Sequence, residues 1–191
     1  MPENQKPNRV HSSPDRLARI WEAFRHGQQW AFRQIYLETY DSLYLYGFRL
    51  LSSEETTRDL IQDLFIKLWE RRKSLPKVQN LKAYLFVTFR SMIIDYYRWN
   101  SKQDRDREYL SEHLVFSLTI EQQMIRDEAD AELAHKLDSA IRSLSSREQE
   151  VVYLRYFQDL EYKEISRIMG IRYQSVRNLL HRAIEALREL L

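Results

Sequence analysis

The sequence predicts an all-α protein of two small helical domains joined by a flexible linker, the C-terminal domain containing a helix-turn-helix. Three observations predict it. The 191 residues include only three Gly and four Pro, too few for the many turns a sheet protein needs. Apolar residues recur at three- and four-residue spacing through long stretches, as in amphipathic helices. That periodicity fails over one long internal stretch, from Ser101 to about Thr119, which divides the chain into two helical blocks.

Residues 1–15 form a polar stretch, MPENQKPNRVHSSPD, without the apolar run of a signal peptide, and read as a disordered tail. The first domain spans 16–100. RLARIWEAFRHG sets Leu17, Ile20, Trp21 and Phe24 on one face and stops at Gly27. A second helix from about Gln29 to Leu51 carries Trp30, Phe32, Tyr36, Tyr40, Tyr44 and Phe48. Ser52 with Glu55 three residues later fits a capping box opening a third helix, which runs to about Lys73. Pro76 ends the pattern, and Asn80 is a suitable N-cap for a fourth helix reaching Trp99.

Residues 101–119 mix charges with a short apolar run and read as the linker. The second domain spans 120–191. A helix runs from about Ile120 towards Ser143, and Ser145 with Glu148 makes another capping box. In EYKEISRIMG, Ile165, Ile168 and Met169 keep helical spacing and Gly170 supplies the sharp turn. Val176, Leu179, Leu180 and Ala183 are the inward stripe of the helix that follows, and the pair reads as a helix-turn-helix.

Composition excludes several classes of function. The chain has no Cys, which removes disulfides, thiolate metal sites and cysteine nucleophiles and fits a reducing compartment. Its five His are scattered, no glycine-rich phosphate loop is present, and no carboxylate pair is singled out. An enzyme is therefore not expected, nor is a cofactor, a metal or a small-molecule substrate. No apolar run approaches the roughly 18 residues of a membrane span, and a cytoplasmic protein is expected.

Three faces carry the functional reading. Between Tyr162 and Arg182 there are five Lys or Arg against one acid, Glu164. Tyr173, Gln174 and Ser175 open the second helix, and Arg177, Asn178, His181 and Arg182 form adjacent outward rows. Arg and Asn can make bidentate contacts with guanine and adenine in a major groove. The third helix turns Asp59, Gln62, Asp63, Ile66 and Glu70 away from its apolar stripe. That face suits a basic partner helix, and the residues alone fit a solvated acidic face equally. Residues 71–107 hold ten Lys or Arg against three Asp, with Tyr84, Phe86, Tyr97 and Trp99 interleaved. Arg90, Ile94, Tyr97 and Arg98 share one face of the fourth helix and could hold single-stranded DNA, or could be a core face with a charged rim.

The segments FRQIYLETYDSLYLYGFRLL, DLIQDLFIKLWERR, LKAYLFVTFRSMIIDYYRW and LSSREQEVVYLRYFQDLEYKEISRIMGIRYQSVRNLLHRAIEALREL, in this order, resemble the extracytoplasmic-function (ECF) sigma factors of bacterial RNA polymerase. The form YQSVRNLLHRA is similar to versions abundant in Bacteroidetes. The resemblance implies a sigma factor that binds core RNA polymerase and directs promoter-specific initiation. It implies that Asp59, Gln62, Asp63 and Ile66 dock on the clamp helices of the largest polymerase subunit. Asn80 in the loop Ser74–Asn80, with Arg90, Ile94, Tyr97 and Arg98, falls where the family recognises and melts the −10 element. Arg155, Arg172, Gln174, Ser175, Arg177, Asn178, His181 and Arg182 lie where it reads the −35 element. The implied partners are core RNA polymerase, promoter DNA and an anti-sigma factor, often membrane-anchored. Two positions depart from the pattern. Glu161 stands where a small N-cap is common, so that either Asp159 caps instead or the helix starts loosely, and Leu179 stands where Arg or Lys is common. A stand-alone helix-turn-helix regulator that binds duplex DNA as a dimer is the rival reading, and a helical adaptor with a merely solubilising basic face is another.

Overall fold

A computed structural model describes residues 14–100, 114–118 and 128–190. All the regular structure among them is helical. The first domain holds α1 (Pro14–Arg25), α2 (Gln29–Leu51), α3 (Glu54–Arg71), a short 3-10 turn (Arg72–Ser74) and α4 (Leu81–Asn100). The second holds α5 (Glu128–Ser143), α6 (Ser146–Val152), α7 (Tyr162–Met169) and α8 (Tyr173–Leu190). A π-helical turn, Tyr153–Phe157, continues α6. The expected tail and most of the expected linker (1–13, 101–113 and 119) lie outside the described residues, as does the expected start of α5 at Ile120.

Local chemistry sets the ends. Gly27 (φ 85°) and Gly170 (φ 66°) adopt the left-handed conformation that closes α1 and α7, at little steric cost without a Cβ. Asn80 caps α4, its Oδ1 accepting from the Ala83 N–H at 3.1 Å. Ser145 and Glu148 form the expected capping box on α6.

Two caps differ from expectation. The N-cap of α3 is Ser53, whose hydroxyl accepts from the Thr56 N–H at 3.3 Å. Ser52 is instead the left-handed residue that closes α2, its N–H donating to the Phe48 carbonyl at 2.8 Å. Glu161, not Asp159, precedes α7, and its N–H donates to Glu164 Oε2 at 2.8 Å. Asp159 takes a positive φ in the turn before it.

The core of the first domain is aromatic. Trp21, Phe24, Phe86 and Phe89 are buried with Ile35, Leu43, Ile61 and Leu64. Along α2, Tyr36, Tyr40, Tyr44 and Phe48 stack at one-turn intervals, with ring centroids 5.1, 6.2 and 6.2 Å apart. In the second domain Ile165, Ile168, Met169, Val176, Leu179, Leu180 and Ala183 bury the helix-turn-helix against α6. Leu179 belongs to that core.

The two domains are packed together. The first half of α4 meets α7, and Tyr46 of α2 stacks on Tyr153 of the π turn at 6.2 Å. Segment 114–118 is also engaged. Leu114, Phe116 and Leu118 are buried, and Phe116 packs on both Tyr46 and Tyr153. This part of the expected linker is thus a strap and not a free tether.

Candidate nucleic-acid interface

The helix-turn-helix places most of its expected contact residues on one exposed face. Arg172 supplies the carbonyl that accepts from Ser175 N–H at 2.9 Å and so starts α8. Arg172, Gln174, Arg177, Asn178, His181 and Arg182 are exposed, and Ser175 is half-buried. Gln174 donates to Asn178 Oδ1 at 3.0 Å, and this fixes the orientation of the Asn178 amide. His181 approaches Glu185 at 3.0 Å. Arg182 reaches Glu148 at 3.1 Å, which ties α8 to α6. Arg155 stands apart from this row: it is half-buried, donates to the Leu160 carbonyl at 3.2 Å and lies over the Tyr162 ring. Its first task is to hold the turn that leads into α7.

The acidic face of α3 is also presented outward. Asp59, Gln62, Asp63 and Glu70 are exposed, and Ile66 is 46% exposed. Beside it, between α2 and α3, runs a groove of about 850 Å³ walled by Phe32, Tyr36, Tyr40, Phe65, Ile66 and Trp69. The groove is a feature the sequence reading missed. Its signal was the surplus of aromatics on α2, more than one inward stripe can use.

The expected single-strand face of α4 is only partly exposed in this structure. Arg90 is 2% exposed and Ile94 is buried, so they do not share an outward surface with Arg98. Arg90 Nε donates to Glu150 Oε1 of α6 at 3.0 Å, and the Tyr46 hydroxyl donates to the same oxygen at 2.6 Å. Tyr97 is half-buried, its hydroxyl donating to the Leu50 carbonyl at 2.8 Å. Arg98 is exposed and loosely paired with Asp95 at 3.8 Å. The four residues do share the register that their spacing implies. Burial falls along it, from Arg90 and Ile94 to the exposed Arg98.

The second domain also reaches the loop before α4. Asn80 Nδ2 donates to Glu164 Oε1 at 2.7 Å, and Lys82 Nζ donates to the Gln158 carbonyl at 2.9 Å. Between the loop, α4 and α7 lies a crevice of about 540 Å³ lined by Lys77, Asn80, Tyr84, Val87, Glu164 and Arg167. Burial lowers the Lys82 pKa, partly offset by Asp159 and Glu164. Burial, with Glu150 beside it, pushes the Tyr46 hydroxyl well above its usual range, while Arg90 opposes this. Tyr46 therefore stays a neutral donor. Tyr46, Glu150, Gln158 and Glu164 carry no local sequence signal for this arrangement, because their partners lie far along the chain.

Residues 35–103 match the family description "Sigma-70 region 2", and residues 134–187 match "Sigma-70, region 4". Together the two matches cover more than half of the chain. The chain belongs to the sigma-70 family. It is similar to the RNA polymerase sigma factor YlaC of Bacillus subtilis, 27% identical over 80% of this chain and 87% of that protein. It is also similar to the ECF RNA polymerase sigma factor BldN of Streptomyces coelicolor, 25% identical over 94% of this chain and 67% of that protein. Its fold is that of the sigma factor RpoE solved with the anti-sigma factor NepR from Bartonella quintana (TM-score 0.57, 23% identity, 83% of this chain and 95% of that one). CnrH solved with the cytosolic domain of CnrY gives the same fold (TM-score 0.57, 20% identity, 91% and 95%). As a sigma factor of ECF type, the chain directs RNA polymerase to promoters.

Proposed function

We propose that the sigma factor docks on core RNA polymerase through α3, with Asp59, Gln62, Asp63 and Ile66 as its contacts. The observation that supports this is the exposed acidic face beside the aromatic groove, inside the segment matching region 2. Acidic side chains steer a basic partner helix into register, and Ile66 with the groove gives it apolar area to bury. The partner with that chemistry is a basic clamp helix of the largest polymerase subunit. Asp63→Arg sets like charges face to face, which costs up to several kcal/mol. Titration of purified core polymerase with the labelled chain is expected to show saturable one-to-one binding, weakened at least tenfold by Asp63→Arg. Equal affinity for both proteins would remove α3 from the docking surface.

We assign the −35 element to α8, where Arg172, Gln174, Ser175, Arg177, Asn178, His181 and Arg182 meet one groove, with Arg155 supporting the turn beneath. The −10 element and the melted strand go to Asn80, Arg90, Ile94, Tyr97 and Arg98, once the second domain has moved off α4. Arg177→Ala is expected to lower promoter selectivity by about 1–3 kcal/mol, the worth of one bidentate base contact. Competition between consensus and scrambled −35 duplexes measures it. A loss equal on both sequences would make Arg177 a phosphate contact.

The chain contributes binding energy to initiation and no chemistry of its own. Among the described residues no helix is long and apolar enough to cross a membrane. Its place is with polymerase in the cytoplasm. RpoE was solved with the anti-sigma factor NepR, and CnrH with the cytosolic domain of CnrY. An anti-sigma factor, often membrane-anchored in the family the chain resembles, is the expected regulator here too.

A further inference from the structure

We infer that Gln174 is a positioning residue for base readout: it fixes the Asn178 amide in the order that reads an adenine of the −35 element. The inference rests on the assignment of α8 to that element. Gln174 and Asn178 lie four residues apart near the start of α8, on one row of the helix. Both are exposed, and the first turns of a recognition helix are the part that meets base edges. The stripe beneath them, Val176, Leu179, Leu180 and Ala183, is buried, so the row is carried on a fixed backbone.

An unanchored Asn amide can turn end over end, because its last torsion is broad and nearly two-fold. Here Gln174 Nε2 donates to Asn178 Oδ1 at 3.0 Å. That bond sets the amide oxygen toward the N-terminus of the helix and the NH2 group toward its C-terminus. It uses one of the two lone pairs of Oδ1 and neither proton of Nδ2. An acceptor and a donor are left side by side in a fixed order. Adenine presents N6–H as a donor and N7 as an acceptor, which complement that pair. Guanine presents O6 and N7, both acceptors, so one of them must face Oδ1. Cytosine offers only its N4 donor in the major groove, and thymine only its O4 acceptor. Adenine alone satisfies both ends of the amide.

Other residues of the row are held differently. Arg182 turns back to Glu148 at 3.1 Å, and His181 approaches Glu185 at 3.0 Å. Those partners are carboxylates. The Gln174–Asn178 bond joins two neutral amides, so it brings no charge to the groove and acts on direction alone. A bond that served only to stabilise the helix would leave the choice of base untouched.

The test uses holoenzyme reconstituted from core RNA polymerase and the full-length chain. It is mixed with a promoter library randomised across the −35 element, and the bound DNA is sequenced. Enrichment is read position by position, so changes of affinity common to all sequences cancel. One position is expected to favour adenine, and Asn178→Ala is expected to lower that preference about tenfold or more. Gln174→Glu keeps the shape of the side chain but offers an acceptor in place of the donor, which turns the Asn178 NH2 group toward it. The adenine preference at the same position should fall about fivefold, the worth of one hydrogen bond. Gln174→Lys keeps a donor and should keep the preference. In the double variant Gln174→Glu/Asn178→Ala the position should be no flatter than in Asn178→Ala alone.

An adenine preference altered alike by Gln174→Glu and Gln174→Lys, or by neither, would overturn the positioning role. A position that depends on Asn178 but favours another base would overturn the adenine assignment. Arg177→Ala separates these failures from failure of the underlying reading. If Arg177→Ala shifts a −35 position and Asn178→Ala shifts none, the inference falls and α8 keeps its assignment. If neither variant shifts any −35 position, α8 does not read the element and both fall together.

Discussion

Replacing Trp21 with Ala is expected to cost the first domain about 3–5 kcal/mol, the range for truncating a buried large aromatic. Trp21 is 1% exposed, with its ring 5.3 Å from that of Phe24 and 5.5 Å from that of Tyr84. Its indole N–H donates to the Pro76 carbonyl at 2.9 Å. That bond ties α1 to the middle of the Ser74–Asn80 loop, which is proposed to meet the −10 element. Stability and loop placement should therefore fail together. Trp21→Phe separates them, since it keeps most of the apolar area and loses the bond, worth about 1 kcal/mol. Urea unfolding should show a large fall in midpoint for Trp21→Ala and a small one for Trp21→Phe. Hydrogen exchange over the loop should rise in both. If Trp21→Phe left loop exchange unchanged, the indole bond would have no part in holding the loop.

Features set by nearby residues were legible in the sequence. Gly170, the 145/148 capping box and the inward stripe of α8 each depend on spacings of a few residues, and the helix-turn-helix follows from them. The exposed face of α3 was legible for the same reason. Even local reading slipped where two candidates adjoin. Ser52 and Ser53 are equally good caps by type, and the choice falls to Ser53 because Ser52 is needed in the left-handed conformation that ends α2. The cap of α7 went to Glu161 by a similar margin: Asp159 is spent on a positive φ in the turn.

What the sequence hid is closure. Tyr46 and Glu150 are 104 residues apart, and Arg90 and Glu150 are 60 apart. No periodicity connects them. An Arg on a mostly apolar helix looks like an outward cation, and a Glu in the short α6 looks like a solvated helix-former. Buried, the two charges pair with each other, and the Tyr46 hydroxyl donates to the same carboxylate; an uncompensated charge in that site would carry a desolvation penalty of several kcal/mol. The short apolar run Leu114–Leu118 was the one hint. Its alternation buries Leu114, Phe116 and Leu118 and leaves Val115 exposed, the period-two pattern of an extended strap.

Gly47 gives a second test of the first domain, one in which two opposing effects can be weighed. It lies inside α2, where exchange of Gly for Ala should gain roughly 1 kcal/mol of helix propensity. A Cβ there would lie 2.7 and 2.8 Å from ring carbons of Phe89 and 3.0 Å from the Thr57 methyl. Phe89 is fully buried on α4, so its ring cannot swing aside as an exposed side chain would. Overpacking of this kind costs about 1–3 kcal/mol and occasionally more. The clash outweighs the propensity, and Gly47→Ala is expected to lower stability, with Gly47→Leu lowering it further. Because α2 and α4 also carry Tyr46 and Arg90, prising them apart should loosen the contact with α6. A double-mutant cycle checks the cause. Phe89→Leu alone removes buried aromatic area and destabilises. In the Gly47→Ala background it also makes room for the new methyl, so the pair should cost less than the sum of the single changes by about 1 kcal/mol, within the range seen for residues in contact. Strict additivity would mean that α2 yields to the methyl without pressing on Phe89. The closeness of these two helices would then play no part in the choice of glycine.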